Sequence, residues 1–393
     1  MNRSGYGLMA GILLAALSAG DARAFTPNTV AAQAPRPNLW QSAALIPWGR
    51  ESGQLQEQIH SHDPNVVSRG PGSVLAFEGG SFAVLDTLGS SVKEFDASGK
   101  LTGELKFPAY FPDRKQTLAI DMAASGPGEY WLLSSTHNVV LHVRDGEPIE
   151  PLEIPGAGKN ALLMAISRDS SGTIYVLDAD EGSLYRMDSA GHALSKLHQK
   201  DLQGMTIDSK GHVYDLRLAG KNDARHLELI RWRIEEQAAK AGAAEPGFED
   251  LNRAGASVQS DLVAKIDSDL EINRMDVFGV DAEGNIYVTW SAGAIENPTR
   301  REVVRFDSSG KMTGRAPCPA DPVELKFTHA KVVSADGAVF AVRVREKGLE
   351  ILRLKKWPEV DSEASHREGA APAPQAPAPD RTKPSSDIDF GRH

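Results

Sequence analysis

Short runs of β-branched and aromatic residues, each opened by a glycine, recur six times along the chain. They read GSFAVLD from Gly80, GEYWLLS from Gly128, GTIYVLD from Gly172, GHVYDLR from Gly211, GNIYVTW from Gly284 and GAVFAVR from Gly337. The runs are short and their period is two rather than 3.6, as in Thr173 to Leu177 and Asn285 to Val288, which predicts strands. A second apolar run follows, for example Val92 to Phe95, Ser183 to Met187 and Val303 to Phe306. These three end in Asp-x-x-Gly at Asp96 to Gly99, Asp188 to Gly191 and Asp307 to Gly310. Asp at the first position bonds the turn backbone, and Gly at the fourth accepts the left-handed conformation of a bulged hairpin. The same turn precedes the repeated strand at Asp169 to Gly172, Asp208 to Gly211 and Asp281 to Gly284, after inner-strand candidates such as Met205 to Ile207 and Val277 to Val280.

The repeated glycines are 48, 44, 39, 73 and 53 residues apart. A four-stranded propeller blade takes about 40 to 45 residues, so the pattern predicts an all-β chain, a six-bladed β-propeller with four-stranded antiparallel blades over residues 45–357. The longest interval holds an alternating strand, Leu227 to Ile234, then a helix-favouring run from Glu235 to Ala241 broken at Gly242, Pro246 and Gly247. This places a rim insertion at about 236–260. The last blade runs out of chain after Leu349 to Leu354 and Trp357, so its fourth strand should come from the N-terminal side. Gln54 to Ile59 is the better candidate and Ser42 to Trp48 the other; either closure removes free sheet edges.

The flanks read differently. Arg3, an apolar stretch from Gly7 to Leu17, and Ala22-Arg23-Ala24 have the pattern of a secretory signal peptide over 1–24. The apolar stretch is too short to span a bilayer, and no later one is long enough. Residues 25–44, with Pro27, Pro35 and Pro37, read as a linker. Residues 358–393, with an alternating Ala-Pro tract from Ala371, read as a disordered tail. Cys318 is the single cysteine, so no intramolecular disulfide can form, and stability must come from the core. The formal charge of −10 argues against nucleic acid as a partner, which calls for a basic face. These features predict a secreted or periplasmic monomer.

The DxxG turn, G-x-I-Y-V-L-D strand, second strand and F-D-x-x-G-K turn together resemble the NHL-type six-bladed propellers of bacterial secreted proteins, over residues 45–357. The resemblance implies a disc with a central channel; related propellers bind proteins, bind small molecules or catalyse hydrolysis. Gly128 departs from the pattern, since Gly126-Pro127 stands before it.

Segments that join one blade's outer strand to the next blade's inner strand should meet at one channel mouth. They bring His60, His62 and Asp63, then Arg114 and Lys115, Lys159 and Asn160, Gln203, then Asn273, Arg274 and Asp276, and finally His329. Arg114, Asn160, Asn273, Arg274 and His329 are the ligand-binding candidates, suited to an anionic or hydroxyl-rich ligand; a merely hydrated mouth would hold the same residue types. His60, His62 and Asp63 are the metal candidates, because two imidazoles and a carboxylate suit a transition metal, though an exposed loop pair reads the same way. Lactonase-like relatives hold a divalent metal with Glu, Asn and Asp; Glu57, Asn160, Asn273 and Asp276 have that chemistry. The Asp-x-x-Gly segments lack the spaced carboxylates of a calcium loop and read as turns. No G-x-S-x-G elbow supports a catalytic triad. Cys318 reads as an unreactive loop thiol, and Trp131, Trp232, Trp290 and Trp357 as packing between blades. The expected function is binding, of a protein or a small molecule, without a cofactor. A metal-dependent hydrolase and a structural envelope component are the alternatives.

Overall fold

The computed structural model describes residues 39–57, 70–107, 118–134, 137–145, 147–148, 151–154, 156–158, 161–198, 206–220, 223–235, 257–294, 298–319 and 328–358. Strand β1 (Trp40–Pro47) comes first in the chain. Blade 1 follows with β2 (Val74–Ala76), β3 (Phe82–Asp86), β4 (Ser91–Phe95) and β5 (Leu101–Lys106). Blade 2 has β6 (Ala119–Gly126), β7 (Glu129–Ser134) and β8 (Val139–Arg144), with the short β9 (Glu147–Pro148) and β10 (Leu152–Glu153) sharing its outer edge. Blade 3 has β11 (Leu163–Arg168), β12 (Ile174–Asp178), β13 (Ser183–Met187) and β14 (Ala193–His198). Blade 4 has β15 (Thr206–Ile207), β16 (Val213–Gly220), β17 (Asp223–Glu235) and β18 (Ser257–Asp267). Blade 5 has β19 (Ile272–Val280), β20 (Ile286–Gly293), β21 (Pro298–Phe306) and β22 (Met312–Pro317). Blade 6 has β23 (Lys331–Val333), β24 (Val339–Arg345) and β25 (Gly348–Leu354), and β1 completes it. The first strands of neighbouring blades touch in turn around the ring, from β2 to β6, β11, β15, β19, β23 and back to β2. The protein is a six-bladed propeller.

Six apolar seams, one between each pair of neighbouring blades, make up the core. This explains why the repeated strand is apolar at nearly every position. Phe82 and Val84 of β3 enter the seam with blade 6, while Ala83 and Leu85 enter the seam with blade 2. A strand buried on both faces has no polar side to show. The four tryptophans follow the same logic: Trp131, Trp232, Trp290 and Trp357 join the seams 2/3, 3/4, 4/5 and 5/6 respectively.

The Asp-x-x-Gly segments are turns. Asp169, Asp208 and Asp281 each accept two backbone N–H groups through Oδ1, while Oδ2 accepts the hydroxyl of Tyr175, Tyr214 or Tyr287 in the following strand. In the outer turns the glycine also permits contact between blades. A Cβ on Gly310 would lie 1.9 Å from the Val263 carbonyl oxygen of blade 4.

Ring closure departs from the expected order of candidates. β1 pairs antiparallel with β25 from Trp40 opposite Leu354 to Pro47 opposite Gly348, and the Trp40 indole donates to Pro317 O at 2.7 Å. It sends Ala44 and Ile46 into the seam with blade 1. Gln54 to Ile59 does not fill this place: Leu55 makes only an isolated bridge to Trp48, and Gln58 and Ile59 lie outside the described residues. The physical reason is apolar supply, since residues 54–59 set Leu55 and Ile59 among four polar or charged residues, whereas β1 brings Trp40, Ala44 and Ile46 into the seams. β1 also begins inside the segment 25–44 read as a linker. The buried Lys93 ammonium holds the stretch after β1, bonding both Gln54 O and Asp86 Oδ2, the latter at 2.8 Å. Of the expected insertion at 236–260, residues 257–260 belong to β18, and 236–256 lie outside the described residues.

Candidate functional site

Inner strands bring chemistry to the channel because the backbone register repeats from blade to blade. Asp121 on β6 pairs with Leu133, five residues after Gly128. Asp276 on β19 pairs with Thr289, five residues after Gly284. The two carboxylates therefore stand at the same register level of blades 2 and 5, which face each other across a six-bladed ring. Ser73 of blade 1 and Ala165 of blade 3 share that level, opposite Leu85 and Leu177.

His329 enters this level from the approach to blade 6. It forms a parallel bridge with Ser73, and Thr328 beside it donates its N–H to Gly72 O at 2.9 Å and its hydroxyl to Ile120 O at 3.1 Å. These contacts carry the segment to β6, where His329 Nε2 lies 3.1 Å from Asp121 Oδ2. Asp121 is 0% exposed, and His329 keeps 24% of its side chain accessible. The same Oδ2 accepts the Ile166 N–H at 2.8 Å, while Oδ1 is buried with no hydrogen-bond partner among the described residues. Burial opposes protonation of the imidazole. The charge and hydrogen bond of Asp121, with the charge of Asp276, outweigh it and hold the His329 pKa above its ordinary value. Asp276 itself is exposed.

Blade 3 leaves two large apolar side chains exposed at its inner strand. In β11 the register shifts between Leu163 and Ala165, so Met164 is an extra residue bulged out of the ladder. Met164 is 47% exposed and Leu162, just ahead of the strand, 54%.

Of the residues singled out by sequence, the structure sets His329 and Asp276 within electrostatic range of each other. Asn273 is engaged within its blade: its Nδ2 donates to Gly293 O at 2.9 Å and its Oδ1 accepts the Ser291 hydroxyl at 2.6 Å. Arg274 is exposed and lies within β19 rather than before it, as do Asn273 and Asp276. His60, His62, Asp63, Arg114, Lys115, Lys159, Asn160 and Gln203 lie outside the described residues. Glu57 follows Gln56, whose N–H donates to Asp86 Oδ1. Its Oε2 is buried without a partner among the described residues, and burial raises its pKa. Among the described residues no three His, Cys, Asp or Glu side chains are grouped to hold a metal, and Asn160 of the lactonase-type set lies outside them. Ser73 Oγ is buried and has no hydrogen-bond partner among the described residues, so it lacks the base contact that an activated nucleophile needs. Cys318 is half-buried, 3.8 Å from the Thr289 hydroxyl oxygen.

Sequence reasoning missed Asp121, Leu162 and Met164. Counting back from the repeated glycines does not match Asp121 to Asp276, because a bulge between Val277 and Gly279 shifts β19 by one residue. No local signal marks Met164, because the bulge that exposes it is a property of strand pairing.

No family model matches the chain, and no curated protein matches it in sequence. Among solved structures, the chain is similar to a gluconolactonase from Xanthomonas campestris, with 14% identity over 80% of this chain and 98% of that one and a TM-score of 0.44. It is also similar to the calcium-binding protein regucalcin from Agrobacterium tumefaciens, with 12% identity over 78% and 96% and a TM-score of 0.43. A PQQ-bound aldose sugar dehydrogenase from Streptomyces coelicolor gives 13% identity over 80% and 97% and a TM-score of 0.41. Likeness at this level transfers no activity.

Proposed function

We propose that this protein is an exported propeller of the NHL type that binds a ligand at its channel mouth, through His329 and the inner-strand groups around it. The observation that carries the reading is the contact of His329, on the approach to blade 6, with the buried Asp121 of blade 2, with Asp276 of blade 5 within range to act on the imidazole by its charge. Such convergence needs the whole ring, and a buried carboxylate costs free energy that the seams must offset. A binding role fits better than catalysis, because the described cluster offers hydrogen-bonding and charged groups but no positioned nucleophile. Export rests on the leader-like pattern of residues 1–24, and the NHL assignment on the recurring Asp-x-x-Gly turns and their tyrosine partners. No helix among the described residues is long and apolar enough to cross a membrane.

The test is a thermal-shift screen of the mature protein against small anions, small cations, polyols and divalent metal ions, repeated on Asp276→Asn. A specific ligand raises the midpoint of the wild type, since binding to the native state alone stabilises it, and raises that of the variant less. Equal shifts in both proteins with every compound, or no shift with any, would remove the channel-mouth reading. Stabilisation by divalent ions alone would favour the hydrolase alternative.

A further inference from the structure

The hairpin of β17 and β18 outruns its blade. β16 meets β17 only as far as Val213 opposite Trp232, whereas β17 and β18 stay paired to Glu235 opposite Ser257. Residues 233–235 and 257–259 therefore stand past the end of β16 as a two-stranded ribbon. Because β18 leads from Asp267 into the mouth-side start of β19, the ribbon projects at the other end of the blade, away from the mouth. β18 has 11 residues, against 8 in β1, 6 in each of β5, β14 and β22, and 2 in β10, so it offers the longest edge of the described outer strands. Blade 5 occupies the middle of that edge. There the register shifts so that Val263 is a bulge, and Gly310 packs against its carbonyl oxygen. Residues 258–262 are left as an outer edge with no strand paired to it among the described residues.

This stretch has the same polarity pattern read from either end. Val258, Ser260 and Leu262 stand opposite Ile234, Trp232 and Ile230 of β17 and share one face with them, on which Trp232 and Ile234 pack into the seam with blade 3. Val258 is 40% exposed and Leu262 51%. Gln259 and Asp261 lie on the other face, where Asp261 accepts from Arg231 at 3.1 Å and from Arg233 at 2.6 Å. Edge strands that stay single are commonly guarded by a lysine, a proline or an inward-pointing charge. Residues 258–262 hold no lysine and no proline, and their one charge is clasped by two arginines.

We propose that two copies of this chain join edge to edge through β18, antiparallel about a two-fold axis at Ser260. In this register Val258 lies opposite Leu262 of the second copy and Leu262 opposite its Val258, so a single pairing covers both exposed apolar side chains of each copy. Gln259 lies opposite Asp261 of the second copy, so no like charges stand directly across from each other. A two-fold contact uses the same patch on both copies and closes on itself, giving a dimer rather than a filament. About five residues per copy is small beside the roughly 20–30 of a standard interface. The dimer is therefore weak and concentration-dependent, in place of the monomer that the sequence suggests. It leaves both mouths open, so its failure would not touch the binding reading above.

The experiment is sedimentation velocity on the mature protein from about 1 μM to 1 mM, a range that spans weak association. The sedimentation coefficient should rise with concentration toward that of a dimer. Ser260→Lys sets two ammonium groups face to face on the axis and should keep the protein monomeric throughout. Gln41→Lys, on the exposed face of β1, should leave the association unchanged. The register is tested by Ser260→Cys in a Cys318→Ser background. Directly opposed residues of antiparallel strands have Cα atoms about 4.5–5.5 Å apart, within reach of a disulfide, so oxidation should link two copies. Lys265→Cys, beyond the bulge, should not link them. Melting temperatures of the variants check that each folds. A chain that stays monomeric at every concentration would overturn the proposal, and so would association that Ser260→Lys leaves intact. A monomer that dimerises only when residues 236–256 are replaced by a two-residue turn would show the chain's own segment covering the edge, which also overturns a second copy as its occupant.

Discussion

Breaking the contact between His329 and Asp121 should destabilise the ring, and the loss should depend on pH. The contact joins the approach to blade 6 with the inner strand of blade 2, across the short first strand of blade 1. Removing one partner of a buried ion pair costs roughly 3–5 kcal/mol, chiefly because the other charge is left in a poor environment. Asp121 is 0% exposed but His329 is 24% exposed, so the lower end, about 3 kcal/mol, applies to His329→Ala. In a folded body of this size that corresponds to a fall in melting temperature of about 5 °C. The sign follows from the pKa. Because the folded-state pKa of His329 is raised, its stabilising contribution is fully present below the unfolded value of about 6.5 and is lost as pH rises through the higher folded value. The assay is a double-mutant cycle of His329→Gln and Asp121→Asn, read by urea unfolding from pH 5.5 to 9. The coupling energy should be largest at the acid end and shrink above pH 6.5. Coupling that stays flat with pH, or below about 0.5 kcal/mol at pH 5.5, would refute the charge-pair reading.

Two glycines with nearly the same backbone angle should respond differently to alanine. Gly310 (φ +85°) has the Val263 carbonyl oxygen where a Cβ would go, whereas Gly284 (φ +84°) meets only Ser308 Cβ at 3.6 Å. Gly284→Ala should cost about 1 kcal/mol of backbone strain, and Gly310→Ala clearly more, by thermal denaturation; equal costs would contradict the packing of blade 5 on β18. Lys93→Met should destabilise by about 3 kcal/mol or more, since it leaves Asp86 buried without its cation, and Lys93→Met with Asp86→Leu should recover part of that loss. Glu57→Gln should raise the unfolding midpoint at pH 7 and change it little at pH 4. A carboxyl whose pKa is raised by burial contributes unfavourably once ionised, so a variant less stable at pH 7 would contradict the burial of Glu57.

The sequence by itself determined the blade. Period-two apolar runs, Asp-x-x-Gly turns and spacings near one blade length are local properties, and local hydrogen bonding enforces them, as Asp281 does through its own turn and Tyr287. The six copies also implied a ring. The tertiary structure decided what closes that ring and what meets inside it. β1 closes the ring because a closing strand must pair with an edge as well as fill a seam: β1 pairs with β25 along its length and brings Ala44 and Ile46 into the seam, while Leu55 enters the same seam with only an isolated bridge. Asn273 and Asp276 look alike in sequence, yet the fold bonds Asn273 to Ser291 and Gly293 and sets Asp276 where its charge acts on His329. Asp121 and His329 are more than 200 residues apart, and no spacing rule relates them. Their contact exists because six twisted sheets, packed seam against seam, return the last blade to the first and set distant residues at one level of the channel.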